Sequence, residues 1–578
     1  MTSRLNRLPS VPGGAARHQY THRRDFPFAS VRVTALMVSL AMVLVACQPD
    51  ADEDLGQEDD SSSESPADEE AATTPTDDAG DTVVVALPDF SDEQFDPSLG
   101  GPSHAKYAGG MFDTLLAANQ DGTYNLTHGA LEGFEPNEDS SAYTLTLREG
   151  MTWHDGSPVT SEDVVFSFDH FRAEEAASVV TAALRDTIES IEIVDDLTVE
   201  VSLTATNVAF DHLLGPIEGN FTLLPKDYYE TVGADGFENE PIGSGPWIFE
   251  ERSIGDYVEY RANPDYWKQD ALPAFERLRL LVVPERSTRI ALLQRGDVDI
   301  AEIASEDVET LQADGFAIGG STNVRQHSIV FPNSFRPEVL SHQAEFREAL
   351  SLAIDVEQII EAFYPGDTAE RMVSGVFCPV CPRDESLDYY AHDPDRAREI
   401  LDDIGYDGES IQYYLTSLTP EENDVGEAIA AQWEAVGLNV SLNPLDFPLY
   451  RERLVATPPD FGEQEIALHM HPIATRPSVT GNIRTFMGSH DAGGVVQGYW
   501  NPEQADEWVS ELNQITDDEL LEQRLMEIHN TMHEEFAHIP IASQDAVFAL
   551  APSIDADAWE PVPGRADNYA YHTLRPAG

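Results

Sequence analysis

Lysine is nearly missing from this chain. Lys106, Lys226 and Lys268 are the only three in 578 residues, and arginine carries the rest of the positive charge. With 105 acidic residues against 33 basic ones, the formal net charge is −72. A surface of that sign is repelled by nucleic-acid phosphates and by anionic lipid, so nucleic acid is not an expected partner. Cysteine is also scarce. Cys47, Cys378 and Cys381 are the whole set, and one Cys-x-x-Cys pair cannot build a four-cysteine zinc centre. Common hydrolase motifs are missing too: there is no Gly-x-Ser-x-Gly and no His-Glu-x-x-His. The expectation is that the chain is not an enzyme and takes no cofactor. What is present is globular: 41% hydrophobic and 24% charged residues. The length exceeds one ordinary core and predicts several lobes.

The first 81 residues read as an address and a tether. Residues 1–46 hold six Arg and one Asp, and the apolar run "VTALMVSLAMVLVAC", 33–47, has signal-peptide length and falls short of a comfortable membrane span. It ends in Leu44-Val45-Ala46-Cys47, which resembles a bacterial lipobox with Cys47 as the lipidated first mature residue. "HRRDF", 22–26, partly resembles a twin-arginine signal, but Pro27 departs from it, so the general secretory route stays open. Residues 48–81 carry 14 acids and no Lys or Arg, too polar to fold, and read as a flexible tether. Most of the negative charge therefore belongs to the body. An acidic body repels itself in dilute buffer, which points to a salt-loving source.

The body alternates strand and helix signals. "TVVVAL" from Thr82 opens the first strand. Residues 143–148 alternate as a half-buried strand, and 190–203 read as a hairpin turning at Asp195-Asp196. Residues 277–300 read strand, helix, Gly296 stop and strand, with Ser287 or Thr288 as the cap. Helical spacing runs from Phe346 to Phe363. Asp393 and Pro394 begin another helix. Residues 410–445 read as a β-α-β unit with a Gly437 stop, so part of the sheet is parallel. The fold class is mixed α/β.

"GMTWHDGSPVTSEDVVFSF", 150–168, offers a possible His154-Asp155 catalytic pair or a turn leading into a helix. His154-Asp155-Gly156 has turn chemistry, and Thr160 with Asp163 forms a capping box. The stretch, extended to "YTLTLREGMTWHDGSPVTSEDVVFSFD", resembles the signature of family 5 solute-binding proteins, extracytoplasmic receptors of peptide, oligosaccharide and nickel-chelate ABC importers. The likeness continues in order through "PIGSGPWIFEERSIGDYVEYRANPDYW", "ERSTRIALLQRGDVDI", "FREALSLAIDVEQII", "EAIAAQWEAVGLNV" and "GYWNPEQADEWV".

That resemblance implies a large three-lobed type II periplasmic-binding-protein-like fold. Lobe I would be 82–115, 241–325 and 540–578, lobe II 116–240, and lobe III 326–539, with two crossing strands as a hinge. It also implies a receptor that closes on a peptide or small polar solute and delivers it to permease subunits; with the lipobox, the expectation is a monomer anchored to the outer face of the cytoplasmic membrane. A metal chelate, an oligosaccharide, or sensing without transport are the alternatives. Family placement makes Trp247, Asn333, Tyr499 and Trp500 ligand-binding candidates.

Dipeptide-binding members hold the peptide amine with an Asp in a segment that here reads "HMHPIATRP", 469–477, without any acid. A desolvated ammonium needs a carboxylate, and a guanidinium repels it. Arg476 suits an acidic or hydroxyl-rich ligand instead, or pairs with a neighbouring acid. His469 and His471, with Met470 and His490 near in sequence, are weak metal candidates beside an ordinary core or surface reading. Cys378 and Cys381 read as a small disulfide, with a redox pair as the other option.

Overall fold

The computed structural model describes residues 82–578 apart from 91–92, 101–103, 120–122, 179, 217–220, 374–386, 417–420, 446–448, 450–452, 454–464, 475–478, 493, 495 and 563–569. Cys47, Cys378, Cys381 and Arg476 lie outside the described residues, and of His471 only the backbone is described. No described helix is long and apolar enough to cross a membrane.

Among the described residues eleven strands form one mixed sheet, ten in a continuous order and the short Ala369–Arg371 paired alongside Ile539–Leu550. At its middle lie two long antiparallel strands, Ala317–Val330 and Ile539–Leu550. Beyond the first come Ile466–Ala474, Ser410–Thr416 and Asn439–Leu445. Beyond the second come Ile300–Glu302, Thr82–Leu87, Arg277–Val282, Tyr257–Ala262 and Trp247–Ser253. Thr82–Leu87 and Ser410–Thr416 each pair in parallel with both neighbours, as β-α-β connections require. A separate four-stranded antiparallel sheet contains Leu131–Pro136, Ala142–Leu147, Ile188–Asp195 and Thr198–Leu203.

The sheet serves separate cores. Val85, Leu87, Leu280, Ile300, Phe548 and Leu550 belong to one. Ile329, Tyr413, Trp433, Leu468, Ile539 and Ile541 belong to another. Each long strand thus feeds an apolar core, and the stretch between is polar: Ser321, Gln326, Ser328, Ser543 and Gln544 are all buried there.

Local signals held where they were local. Asp163 accepts from the Thr160 backbone at 2.8 Å and from its hydroxyl at 3.1 Å, ahead of helix Ser161–Phe171. Asp393 caps Pro394–Ile404 through the Arg396 N–H at 2.9 Å, and Gly405 ends it at φ 75°. Two expectations need correction. Helix Arg286–Arg295 is capped at Glu285, not at Ser287 or Thr288, because the Glu285 carbonyl already accepts from Thr288 and Arg289. The helical pattern of 346–363 is two helices, Ala344–Leu352 and Val356–Phe363. Asp355 interrupts it by turning its carboxylate onto the Gln358 N–H at 3.0 Å, a cap that competes with helix continuation.

Candidate functional site

His154 is a strut. Its Nδ1 accepts from the Gly243 N–H at 3.1 Å, and its Nε2 faces the Gly245 carbonyl at 3.0 Å. That pattern needs a neutral ring with the proton on Nε2. Burial agrees, holding the imidazole down at about 4. Asp155 is engaged separately, accepting from the Ser157 N–H at 2.9 Å and hydroxyl at 2.6 Å, and Gly156 takes φ 85°. The pair is therefore a turn, as its chemistry predicts. His154 holds the Gly243-Ser244-Gly245 loop, and the Gly245 N–H joins that loop to the Met111 carbonyl at 2.9 Å. A Cβ on Gly243 would lie 1.9 Å from the Met111 carbonyl oxygen, so only glycine fits.

That loop aims Ser244 at Asp113. The Asp113 carboxylate accepts from Ser244 Oγ at 2.8 Å, Tyr266 Oη at 2.9 Å and Trp267 Nε1 at 3.2 Å. Burial raises it to about 6, against the opposing pull of those donors. Asp113 lies on the wall of a cavity of about 660 Å³. Residues 104–119 form one side and 558–562 with 570–575 another, with Lys268, Asp270, His572 and Arg575 supplying polar groups. Burial lowers Lys268 and holds His572 at about 4. Nothing in the sequence flagged Asp113. Its donors stand more than a hundred residues away, and no short motif connects them. The scarcity of lysine was the only local hint toward Lys268.

None of the described sequence candidates lines this cavity. Trp247 comes nearest. It is fully buried at the start of its strand, and its ring would lie 2.8 Å from a Cβ on Gly110, a cavity residue. Asn333 is fully buried elsewhere, and its Nδ2 donates to the Glu465 carbonyl at 3.0 Å. The Glu465 carboxylate accepts from Tyr414 Oη at 2.6 Å, and Arg453 donates to the same hydroxyl at 3.0 Å. Burial first, then Glu465, lifts that phenol to about 12, so it stays protonated. Buried His469 lies against the Tyr414 ring, centroids 4.8 Å apart. Asn333 and His469 thus join one polar cluster at the head of strand Ile466–Ala474. No metal-ligand group of three exists among the described residues. Tyr499 and Trp500 converge on one carboxylate instead: Glu535 accepts from the Tyr499 hydroxyl at 2.5 Å and from Trp500 Nε1 at 2.8 Å. They belong to a third core, distinct from that of Trp247.

Comparison with known proteins places this architecture. The model of bacterial extracellular solute-binding proteins, family 5, matches residues 125–466. A Brucella ovis protein named as an ABC transporter peptide-binding protein is 29% identical over 348 residues, 58% of this chain and 63% of that protein. The matched part thus spans less than two thirds of that relative's length. The dipeptide-binding protein of Escherichia coli K12 is 25% identical over 411 residues, 64% of this chain and 73% of its own. Among solved structures, the ABC transporter substrate-binding protein CtaP of Listeria monocytogenes superposes with a TM-score of 0.72 at 20% identity, covering 86% of this chain and 99% of its own. The fold is that of type II periplasmic binding proteins. With more than half of its length matched, the chain belongs to the bacterial extracellular solute-binding proteins of family 5.

Proposed function

We propose that this protein is the exported, substrate-binding component of an ABC importer that captures a peptide or related polar solute. The family match over 125–466 carries the reading. Two features support it. The separate cores are joined through one pair of long strands with a polar, irregular middle, an arrangement suited to rigid bodies that rotate. The one residue pair that looked catalytic is used up in holding a turn and a loop.

In this reading, lobes I, II and III are 82–115 with 241–325 and 540–578, 116–240, and 326–539. The solute binds between lobes I and III, and closure is the signal that the permease reads. Lipidated Cys47 and the acidic tether hold a monomeric body at the outer face of the membrane, and Cys378–Cys381 form a disulfide. Trp247, Asn333, Arg476, Tyr499 and Trp500 are the proposed solute-side residues. The acid-free segment 469–477 argues against capture of a free dipeptide by its amine. Arg476 favours an acidic or hydroxyl-rich solute. A thermal-shift panel of dipeptides, longer peptides, oligosaccharides and metal chelates tests this. A ligand at one hundred times its Kd stabilises by about 2.7 kcal/mol, a readily measured shift. Stabilisation by a longer or acidic solute and not by neutral dipeptides is expected; selective stabilisation by free dipeptides overturns the reading of Arg476.

A further inference from the structure

The two long strands do not pair continuously. Ser321 stands opposite Ala546 and Arg325 opposite Gln544, so Thr322, Asn323 and Val324 face Asp545 alone. This bulge sits where the strand pair passes from one apolar core to the other. Two backbone features fix its shape. Gly320 takes φ 141°, and a Cβ there would lie 1.9 Å from the Ala546 carbonyl oxygen. Asn323 takes φ 55°, a left-handed conformation that asparagine tolerates better than most residues. The exposed end of that turn is not left to itself. The Asp545 carboxylate accepts from the Asn323 N–H at 2.7 Å, while the Asp545 N–H donates to the Thr368 carbonyl at 2.9 Å. One residue therefore ties the bulge to the strand beside it and to the segment leading into Ala369–Arg371.

We propose that Asp545 is the latch of the joint between the two cores, a positioning residue whose bond to the Asn323 N–H limits how far they swing. The inference rests on reading the cores as lobes that move, and deepens that reading by naming the group that sets the movement. A charge-assisted bond of this length is stronger than a neutral one. Burial, and repulsion from Glu370 on the adjoining strand, raise Asp545 to about 6 in the latched arrangement, above the ordinary 3.8 that it regains when released into solvent, so the latch tightens as pH falls through that value. Of the charged groups on the neighbouring strands, Arg371 is held by Glu357 at 3.1 Å and the Tyr390 carbonyl at 2.7 Å, and Arg325 stands opposite Gln544.

Hydrogen exchange and small-angle scattering on the unliganded full chain test the latch without any solute, so a failure here is separable from a failure to bind. In Asp545→Ala, exchange of the 320–325 amides should rise at least about tenfold, and the radius of gyration should increase, with Asp545→Asn restoring most of both at pH 7.5. Exchange within about twofold of wild type overturns the proposal. So does faster exchange with unchanged scattering, which would make Asp545 a local pin only. If Asp545→Ala does not fold, the comparison of wild type with Asp545→Asn remains. After correction for intrinsic rates, wild type should gain about threefold protection at 320–325 between pH 7.5 and 5 while Asp545→Asn stays flat. An equal pH response in both overturns it.

Discussion

Arg347 and Asp113 each bury one charge, in different cores, and they are solvated differently. Arg347 is almost fully buried and has no carboxylate among its bonded partners. Its guanidinium donates instead to the carbonyls of Ser341 and His342 at 2.8 Å, Phe536 at 3.1 Å and Glu535 at 2.7 Å. Burial lowers it only to about 10, so it remains charged at every working pH. Asp113 is held by three side-chain donors, and burial brings it to about 6. The first arrangement is a fixed rivet that joins the loop before helix Ala344–Leu352 to the end of helix Asp518–Glu534. The second is a charge that ordinary acidity can remove, beside a cavity. A buried cation ringed by carbonyls thus gives constancy, and a buried anion ringed by neutral donors gives sensitivity.

The comparison breaks most visibly at Arg347. Arg347→Met leaves four carbonyls without their donor and should cost about 3–5 kcal/mol in urea denaturation at any pH from 5 to 8. A loss below about 1 kcal/mol would mean that water replaces the guanidinium freely. Asp113 should instead show its effect as a pH slope. Its folded value, about 6, lies above the ordinary 3.8, so between those values the folded chain holds a proton that the unfolded chain has released. The stability it contributes is present below that window and is lost as pH rises through it, by about 2–3 kcal/mol. Asp113→Asn should remove that component of the slope, read as the difference between the two proteins' stability curves from pH 4 to 7.

Smaller effects sharpen the picture. His154→Ala frees the Gly243 N–H and Gly245 carbonyl, and should cost about 1–3 kcal/mol and loosen the loop that presents Ser244 to Asp113. Thr160→Ala should cost about 1 kcal/mol, the usual worth of a helix cap, by chemical denaturation. Salt acts on the whole body: because the net charge is −72, the melting temperature should climb between low and molar KCl, and a flat profile would remove the salt-loving reading.

Much of the fold was legible because its signals are short-range. The hairpin of 190–203, the Gly296 and Gly437 stops and the Asp393 cap each need only a few neighbouring residues. Failures came where two local signals compete. Asp355 can sit inside a helix or cap a new one, and periodicity alone does not choose between them. The site was less legible for a different reason. The cavity is assembled from segments as far apart as 104–119 and 570–575, and Asp113 meets donors from 244, 266 and 267. Asn333 and Tyr499 were picked out by family placement, which says nothing of their partners. Both turn out to bond inside the protein, to Glu465 and Glu535.

Native mass spectrometry of the full chain, purified without denaturation, tests solute capture most directly. One reproducible extra mass per chain is expected, that of a polar solute, lost when the protein is partly unfolded. A chain that never carries such a mass, and that no peptide, oligosaccharide or chelate stabilises, would contradict it.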